Sequence, residues 1–391
     1  MVINTNDNTK YSYHTLMKKS IFILIALTIL GSLASCSNNT NDNNSNNNNK
    51  SNEKEANPAI YLSTEEQKAS INSLKDIDNG RFYVMDYTAD YKLDELVNAN
   101  LTDVQSMIDF IQKKLLNGGE TSANAQNIGC SAFTASSRDG KKLYGRNFDY
   151  KMDMSAVLIR TTPKDGYKSI GLADAGWVGY GLGSLNDKKT DLSMAVSFPY
   201  LIMDGMNEKG LAVSVLLLRG TPTRQDTGKN KIGTTVAMRL MLDKAKDVDE
   251  AIDLISKFDM QSSMPDANFH FLLSDATGKT VVLEYAINKM NVIDANFVAN
   301  HYLSPSMNGE GHGKERYEVL KAALNFRNNE LTETESMSLL EMVSQWETEE
   351  ATSMTQWSVV YNLTDLSAEV AIRRNYRKLF KFTLDNISGD L

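Results

Sequence analysis

The chain has 391 residues, and a hydrophobic content of 41% is enough to build a sizeable core. The formal net charge is -8, and no stretch is dense in lysine and arginine, which argues against a nucleic-acid-binding surface and favours small-molecule partners. Only two cysteines occur, Cys36 and Cys130, so at most one disulfide can form.

The first 36 residues have the pattern of a secretory signal. Lys18 and Lys19 precede the apolar run 21–33, which is too short to span a bilayer comfortably. The sequence Leu-Ala-Ser-Cys at 33–36 resembles a bacterial lipobox, which implies cleavage before Cys36 and lipid attachment to its sulfur. We therefore expect an exported protein that is lipid-anchored to the bacterial cell envelope. An uncleaved signal anchor is the alternative.

The next two segments differ sharply in composition. Residues 37–58 are almost entirely Asn, Ser, Asp, Lys and Glu, which predicts a disordered tether. Residues 59–129 are predicted to be a helical prosegment, and its helices are expected to end at 118–119. Ser63, with Glu66 three residues on, resembles a capping box at its start. Four apolar residues recur there at roughly helical spacing: Leu96, Ile108, Ile111 and Leu115.

From Cys130 to the C-terminus, short β-rich runs alternate with helical periods, so residues 130–391 are predicted to form one α+β domain of stacked sheets covered by helices. The glycine-rich stretch 176–183 is predicted to be a loop that lines a pocket with Trp177 and Tyr180. Predicted strands are 131–135, 142–144, 156–160, 194–198, 211–218, 269–274 and 280–285, with a closing hairpin of 357–362 and 368–373. Predicted helices are 234–246, 248–258, 314–326 and 334–345.

Cys130 is the candidate nucleophile. A thiol attacks as its thiolate, so it needs a base or nearby positive charge. No histidine has an evident acidic partner, and no metal-ligand spacing occurs. If the Gly129–Cys130 bond were cut, the freed α-amine would have a reference pKa of about 8 and could act as the base. Arg146 could then lower the pKa of the thiol, and Asp149 could orient the ammonium group.

Four segments carry a resemblance to a known family. They are CSAFTASSRDGKKLYGRNFD at 130–149, DGMNEKGL at 204–211, SDATGK at 274–279 with Glu284 after it, and WSVVYN at 357–362. In order and spacing they resemble the choloylglycine hydrolase and penicillin V acylase family of N-terminal-nucleophile hydrolases, which cleave linear amide C–N bonds. The resemblance implies a four-layer αββα sandwich and no cofactor or metal.

The same resemblance implies roles for individual residues. Cys130 resembles the nucleophile, and Arg146 and Asp149 resemble the pair that sets its protonation and orients its amine. Asn300 resembles the asparagine that forms the oxyanion hole with a backbone amide, and Arg316 resembles the later arginine of the site. Asp149 as a turn carboxylate and Arg316 as a solvated helix residue are the structural alternatives.

Two features depart from the family pattern. The long segment before Cys130 is similar to the prosegments of the acid ceramidase, N-acylethanolamine amidase and isopenicillin-N acyltransferase relatives. Leu217 stands where bile-salt and penicillin acylases hold their substrate with asparagine or tyrosine, which suggests a more apolar acyl pocket.

We therefore expect a hydrolase of N-acyl amides that is activated by autoproteolysis before Cys130. Conjugated bile-salt hydrolysis, penicillin acylase activity and non-catalytic ligand binding by a surface lipoprotein are the alternatives. The expected partners are a small N-acyl amide and, through Cys36, a membrane. Assembly with copies of itself is left open.

Overall fold

Two stacked β-sheets form the centre of the protein in a computed structural model that describes residues 61–118, 128–151, 153–346 and 354–389. The described residues all belong to the unit Lys54–Leu391. The expected signal peptide, the lipidation site Cys36 and the tether at 37–58 lie outside the described residues. Within the described ranges, no helix is long and apolar enough to cross a bilayer.

The helices and strands follow in chain order. The described α-helices are α1 (Glu65–Asn72), α2 (Leu93–Asn98), α3 (Val104–Lys114), α4 (Thr234–Lys244), α5 (Val248–Ile255), α6 (Lys314–Phe326) and α7 (Glu333–Met342). The first strands are β1 (Lys75–Asp76), β2 (Phe82–Tyr87), β3 (Ile128–Ser136), β4 (Lys142–Tyr150), β5 (Ala156–Thr161), β6 (Ser169–Asp174), β7 (Ile202–Asn207) and β8 (Ala212–Arg219). The later strands are β9 (Lys231–Gly233), β10 (Asp259–Gln261), β11 (Ala267–Ser274), β12 (Thr280–Ala286), β13 (Lys289–Ile293), β14 (Phe297–Val298), β15 (Met354–Asn362), β16 (Ser367–Ile372) and β17 (Leu379–Thr383).

The strands form a sandwich with helices on both outer faces. One sheet has the order β1-β2-β5-β6-β7-β8-β11-β12-β13, and the other has the order β14-β3-β4-β15-β16-β17. The sheets face each other where β3 packs against β8 and β11. Helices α4 and α5 cover the first sheet, and α6 and α7 cover the second. The expected four-layer αββα fold is therefore confirmed.

Burial on both faces explains the composition of the central strands. All residues of β11 are buried, and β8 is buried up to its last residue, Arg219. Because each sheet lies between a second sheet and a helical layer, its strands become nearly continuous apolar runs.

Most elements predicted after Cys130 are present, and one is wrong. Residues 194–198 were expected to form a strand but lie in the 3-10 helix Ser193–Tyr200. Pro199 lies inside this helix, and proline has no N–H to donate to a strand ladder. The closing hairpin is present as β15 and β16, which pair antiparallel.

The segment before Cys130 differs more from expectation. Helices α1 to α3 are present, but β2 is a buried strand inside the nine-stranded sheet, where it pairs in parallel with β5. The capping box of α1 uses Thr64 and Gln67 instead of Ser63 and Glu66. The hydroxyl of Ser63 instead donates to the backbone of Leu115, which ties the start of α1 to the end of α3.

Candidate active site

Cys130 lies in β3 between β14 and β4, on the face of the sheet that meets the other sheet. Its side chain is fully buried, and its thiol donates to the carbonyl oxygen of Val215 at 3.8 Å. Gly129, which precedes it, pairs with Asp149 of β4. The backbone N–H of Cys130 donates to Oδ1 of Asn300 at 2.6 Å. In the uncut chain, Cys130 is therefore an internal residue of a paired strand.

Arg146 approaches the thiol from β4. Its Nη2 lies 3.1 Å from the Cys130 sulfur and donates to the Val215 carbonyl at 2.9 Å. Its Nη1 forms a buried ion pair with Asp204 at 2.6 Å. The guanidinium lies over the Phe148 ring, 4.9 Å from its centroid. Arg146 is thus held beside the sulfur by a carboxylate and an aromatic face.

Asp204, which holds Arg146, was given no role by sequence reasoning. Besides Arg146, its carboxylate accepts hydrogen bonds from Trp357 Nε1 at 2.9 Å and from the Tyr361 hydroxyl at 2.6 Å. The signal was present, because Asp204 is the first residue of the DGMNEKGL segment and the two donors share a face of the WSVVYN strand. The DGMNEKGL and WSVVYN segments therefore meet at Arg146, which belongs to the segment 130–149.

Asp149 and Arg316 approach Cys130 from the backbone side. One Asp149 oxygen accepts from the Thr355 hydroxyl at 2.6 Å, and the other accepts from Gln345 Nε2. Arg316 Nη1 donates to the carbonyl oxygen of Cys130 at 2.5 Å and lies 3.4 Å from Asp149. Asp149 is therefore not a turn carboxylate and Arg316 is not a solvated helix residue, since both side chains are buried. Thr355 and Gln345 were missed.

Asn300 bridges the two sides of the site. Its Oδ1 also accepts from Arg316 Nη2 at 3.0 Å, and its Nδ2 donates to the carbonyl oxygen of Leu217 at 2.8 Å. An amide nitrogen carries two hydrogens, so one remains for an oxyanion. The structure thus brings the five expected residues together, and the oxyanion role stays a prediction.

His270 and Glu284 form a buried pair that holds the backbone on both sides of Asn300. His270 bonds the carbonyl oxygen of Ala299 at 2.9 Å, and Glu284 accepts from the N–H groups of Leu303 and Ser304. Burial alone would raise the pKa of Glu284, but hydrogen bonding to His270 and to this backbone lowers it to about 2. The glutamate after the SDATGK segment therefore orients the loop that carries Asn300.

Electrostatics keep the thiol of the uncut chain protonated. Burial raises the pKa of Cys130 to about 11, against the opposing charges of Arg146 and Arg316, while Asp149 acts in the same direction as burial. The expected effect of Arg146 on the thiol is therefore present, but the loss of solvent outweighs it.

His312 adds an imidazole to the far side of Arg316. Its backbone N–H donates to the Asn300 carbonyl at 2.8 Å, and neither ring nitrogen has a partner among the described residues. Burial, together with the charges of Arg316 and Arg219, lowers the pKa of His312 to about 4, so the ring is neutral at pH 7. In the described ranges, no group of three or more His, Cys, Asp or Glu side chains could hold a metal ion.

A small apolar cavity of about 10 Å³ adjoins the site. Val215 and Leu217, whose carbonyls contact the Cys130 thiol and Asn300, both line it. Trp177 also lines it, as expected, whereas Tyr180 instead donates to the carbonyl of Asp191. The full lining is Trp177, Met203, Val215, Leu217, Thr234, Thr235 and Phe269.

A model of the family described as linear amide C-N hydrolases, choloylglycine hydrolase family, matches residues 130–307, and the match begins at the buried thiol. This part of the chain matches the choloylglycine hydrolase family. A curated relative, the bile salt hydrolase/transferase of Clostridium perfringens (strain 13 / Type A), is 27% identical over 179 residues. The alignment covers 43% of this chain and 51% of the relative, so the chain spans about half the length of that relative.

Two solved structures are also similar to the chain. A variant of conjugated bile acid hydrolase from Clostridium perfringens has a TM-score of 0.49 at 18% identity, and covers 67% of this chain and 94% of its own. Penicillin V acylase from Agrobacterium tumefaciens has a TM-score of 0.47 at 16% identity, and covers 67% of this chain and 88% of its own.

Proposed function

We propose that the chain is a cysteine N-terminal-nucleophile hydrolase that cleaves the linear amide C–N bond of N-acyl compounds once the bond before Cys130 has been cut. The observation that carries the proposal is the set of contacts on this one residue. Arg146 contacts its sulfur, Asn300 its nitrogen and Arg316 its carbonyl oxygen. Each atom of Cys130 that such a reaction uses has a polar partner.

The proposed maturation uses the same sulfur. Cys130 Sγ attacks the carbonyl carbon of Gly129, and the C–N bond breaks as the proton of the thiol passes to the Cys130 nitrogen. Water then hydrolyses the thioester, which leaves a carboxylate on Gly129 and an α-ammonium on Cys130. Asp149, beside the cut bond, would hold that ammonium by a charge-assisted hydrogen bond.

The proposed turnover repeats this chemistry on a substrate. The α-amine of Cys130 takes the thiol proton, the sulfur attacks the amide carbonyl, and the proton passes to the leaving amine. Asn300 Nδ2 and a backbone N–H would stabilise the oxyanion, and removing such a donor typically costs about 10²–10³-fold in kcat. Water then releases the acyl group as a carboxylic acid.

The apolar side chains around the cavity support an apolar acyl group, which would have to widen the present space of about 10 Å³. Leu217, Met203, Phe269 and Trp177 present apolar surface beside the nucleophile, and Leu217 offers no side-chain hydrogen bond to a substrate. We therefore rank simple N-acyl amides above conjugated bile salts, although a relative is called a bile salt hydrolase/transferase. Comparing kcat/KM for N-acyl amides, glyco- and tauro-conjugates and penicillin V tests this ranking, and a preference for the conjugates would reverse it.

Intact mass and N-terminal sequencing of a soluble form that begins after Cys36 test the maturation. We expect a fragment that begins at Cys130 in the parent and an uncut chain in the Cys130→Ala variant. A cut variant would mean that another protease acts, and an uncut parent would contradict autoproteolysis.

We also propose that the protein is exported and held on the cell envelope by a lipid on Cys36. The support is the basic flank, the short apolar run and the lipobox-like residues 33–36. Metabolic labelling with an alkyne fatty acid should mark the parent and leave Cys36→Ser unlabelled. Equal labelling of both would contradict the proposal.

A further inference from the structure

Gln345 contacts the carboxylate of Asp149 beside the bond whose cleavage is proposed above. We propose that Gln345 is a positioning residue, which shares this carboxylate with the new α-ammonium of Cys130 and thereby keeps a larger fraction of that amine neutral near pH 7. The inference rests on the proposed function, because the neutral amine is the base of the proposed turnover.

Strand register places the thiol and Asp149 on opposite faces of the six-stranded sheet. Cys130 and its β4 partner Phe148 face the nine-stranded sheet. Side chains alternate along a strand, so Gly129 and its partner Asp149 face the other way, toward α7. The amide of Asn147, two residues before Asp149, donates to a backbone carbonyl of α7 at 2.8 Å. The carboxylate that would bind the ammonium therefore lies on the helical side.

A β-bulge in β15 brings a hydroxyl group to the same carboxylate. Thr355 pairs with Asp149 and Trp357 pairs with the residue before it, so Gln356 is the extra residue of the bulge. Without the bulge, Thr355 and Trp357 would lie on one face of the strand. With it, the Thr355 hydroxyl donates to Asp149 Oδ1 at 2.6 Å, while Trp357 still faces the other sheet. The bulge thus directs a donor at Asp149.

Gln345 provides the second donor to Asp149. Its Nε2 donates to Oδ2, the oxygen that lies 3.3 Å from the position that a Cβ of Gly129 would take. The same nitrogen lies 2.9 Å from that position. The backbone of Gln345 is fixed by Thr355, whose hydroxyl accepts its N–H at 2.8 Å and whose N–H donates to its carbonyl at 3.0 Å. Gln345 therefore contacts both the carboxylate and the residue at the proposed cut.

After the cut, Asp149 Oδ2 would accept from two donors, the Gln345 amide and the α-ammonium. A carboxylate stabilises an adjacent ammonium, which raises the pKa of the amine above its reference value of about 8. A hydrogen bond from a neutral amide stabilises the carboxylate without the ammonium, so it offsets part of this rise. Removing the Gln345 amide therefore favours the charged amine and leaves less of the base.

Other charged and titratable side chains also face Asp149 and the amine. In the described structure they come from β4, from α6 and from the connection between β16 and β17: Arg146, Arg316, Arg374 and Tyr376. The thiol of Cys130 is the remaining titratable neighbour. All of these groups are retained when Gln345 is replaced, so a shift in the titration of the amine would be caused by the loss of the amide.

The test is the pH dependence of kcat/KM, whose acidic limb reports the pKa of the base in the free enzyme. Gln345→Met keeps the length of the side chain and removes the amide. Gln356→Met is the matched control, because Gln356 is buried in the same bulge but donates to the backbone carbonyls of Tyr150 and Met354. Cut protein is assayed with an N-acyl amide between about pH 5 and pH 10, after active-site titration.

We expect the acidic limb of Gln345→Met to move up by about one pH unit, which lowers kcat/KM about tenfold below the limb. The plateau at higher pH should stay close to that of the parent, and Gln356→Met should keep the limb of the parent. Gln345→Ala should show the same shift as Gln345→Met, which provides a second variant in case methionine disturbs the packing.

The outcomes separate this inference from the proposed function. Acidic limbs that coincide in parent, Gln345→Met and Gln345→Ala would overturn the role of Gln345, and so would an equal shift in Gln356→Met. A lower plateau with an unmoved limb would also overturn it, since that result indicates a structural role alone. A cut parent that hydrolyses none of the amides would overturn the proposed function and the role of Gln345 with it.

Discussion

Two arginine–aspartate pairs lie buried on opposite sides of the nine-stranded sheet, and they differ in what surrounds them. Arg146 with Asp204 lies between the sheets, and Arg239 with Asp243 lies under the N-terminal segment. Both pairs have a shortest N–O distance of 2.6 Å, and each arginine is at most 1% exposed. By distance and burial alone, the two pairs are the same.

Their hydrogen bonding differs. Arg239 donates to Asp243 and to the Ser169 hydroxyl, and no buried nitrogen of Arg239 lacks a partner in the described structure. Arg146 directs Nη2 at the Cys130 thiol, and its buried Nε has no partner among the described residues. A pair whose buried nitrogens all have partners stabilises the fold, whereas a buried nitrogen without a partner beside a thiol is typical of a functional site.

The largest effect is expected from replacing Cys130, the proposed nucleophile, which Arg146 contacts. Cys130→Ser keeps the size of the side chain but replaces the thiol, so we expect kcat/KM for N-acyl amides to fall by at least about 10⁴-fold. The thermal midpoint should stay close to that of the parent. Steady-state kinetics and circular dichroism check both expectations, and substantial remaining activity would mean that Cys130 is not the nucleophile.

Breaking each pair should destabilise the fold to a similar extent. Asp204→Asn and Asp243→Asn each leave a buried guanidinium without its counter-charge, so we expect urea unfolding to show a loss of about 3–5 kcal/mol. Only Asp204→Asn should also lower kcat of the protein that remains folded. An equal loss of kcat in both variants would remove the distinction between the pairs.

Lysine in place of each arginine separates charge from geometry. Arg146→Lys keeps the charge but cannot bind Asp204 and the thiol at once, so we expect a fall in kcat of about 10²-fold. Arg239→Lys should leave kcat unchanged. Active-site titration corrects kcat of both variants for the fraction of unfolded protein. A fully active Arg146→Lys would contradict the need for one guanidinium to contact Asp204 and the thiol together.

The tyrosines bound to the two aspartates provide a finer test. Tyr361→Phe and Tyr91→Phe each remove one hydroxyl donor from a buried carboxylate, which should cost about 1–3 kcal/mol of stability. We expect Tyr361→Phe alone to lower kcat, since Asp204 holds Arg146. Urea unfolding and steady-state kinetics of both variants test this expectation. A lower kcat in Tyr91→Phe would mean that the Arg239–Asp243 pair also affects the reaction.

The smallest effect concerns a third buried pair, His270 with Glu284. Because the pKa of Glu284 is about 2 in the fold, below the ordinary value of 4.5, its contribution is present above pH 4.5 and is lost as the pH falls toward 2. Glu284→Gln should therefore be less stable than the parent at pH 7, with a difference that shrinks toward pH 2. Urea unfolding between pH 7 and pH 3 measures this, and a constant difference would contradict it.

Much of the fold and part of the site follow from the sequence. Motifs with local spacing placed Cys130, Arg146 and Asp149 on one hairpin, and periodicity located most strands and helices after them. Asp204, Thr355 and Gln345 were missed because their partners come from distant strands and helices that meet only when the layers stack. Strand β2 was missed because its short apolar run lies among helical segments, and its pairing with β5 is not local.

The site is assembled from distant parts of the chain, and this sets a time order on synthesis. About 225 residues separate Cys130 from Thr355, which orients Asp149. At roughly 5–20 residues per second, a ribosome needs roughly 10–45 s to cover that distance. Until Thr355 has been synthesised, Asp149 lacks this hydrogen-bond donor and the site around Cys130 is incomplete. By the time Thr355 is in place, Phe380 and Phe382, which pack against Phe82, are nearly or already synthesised, so the polypeptide can fold as one chain before the cut that we propose.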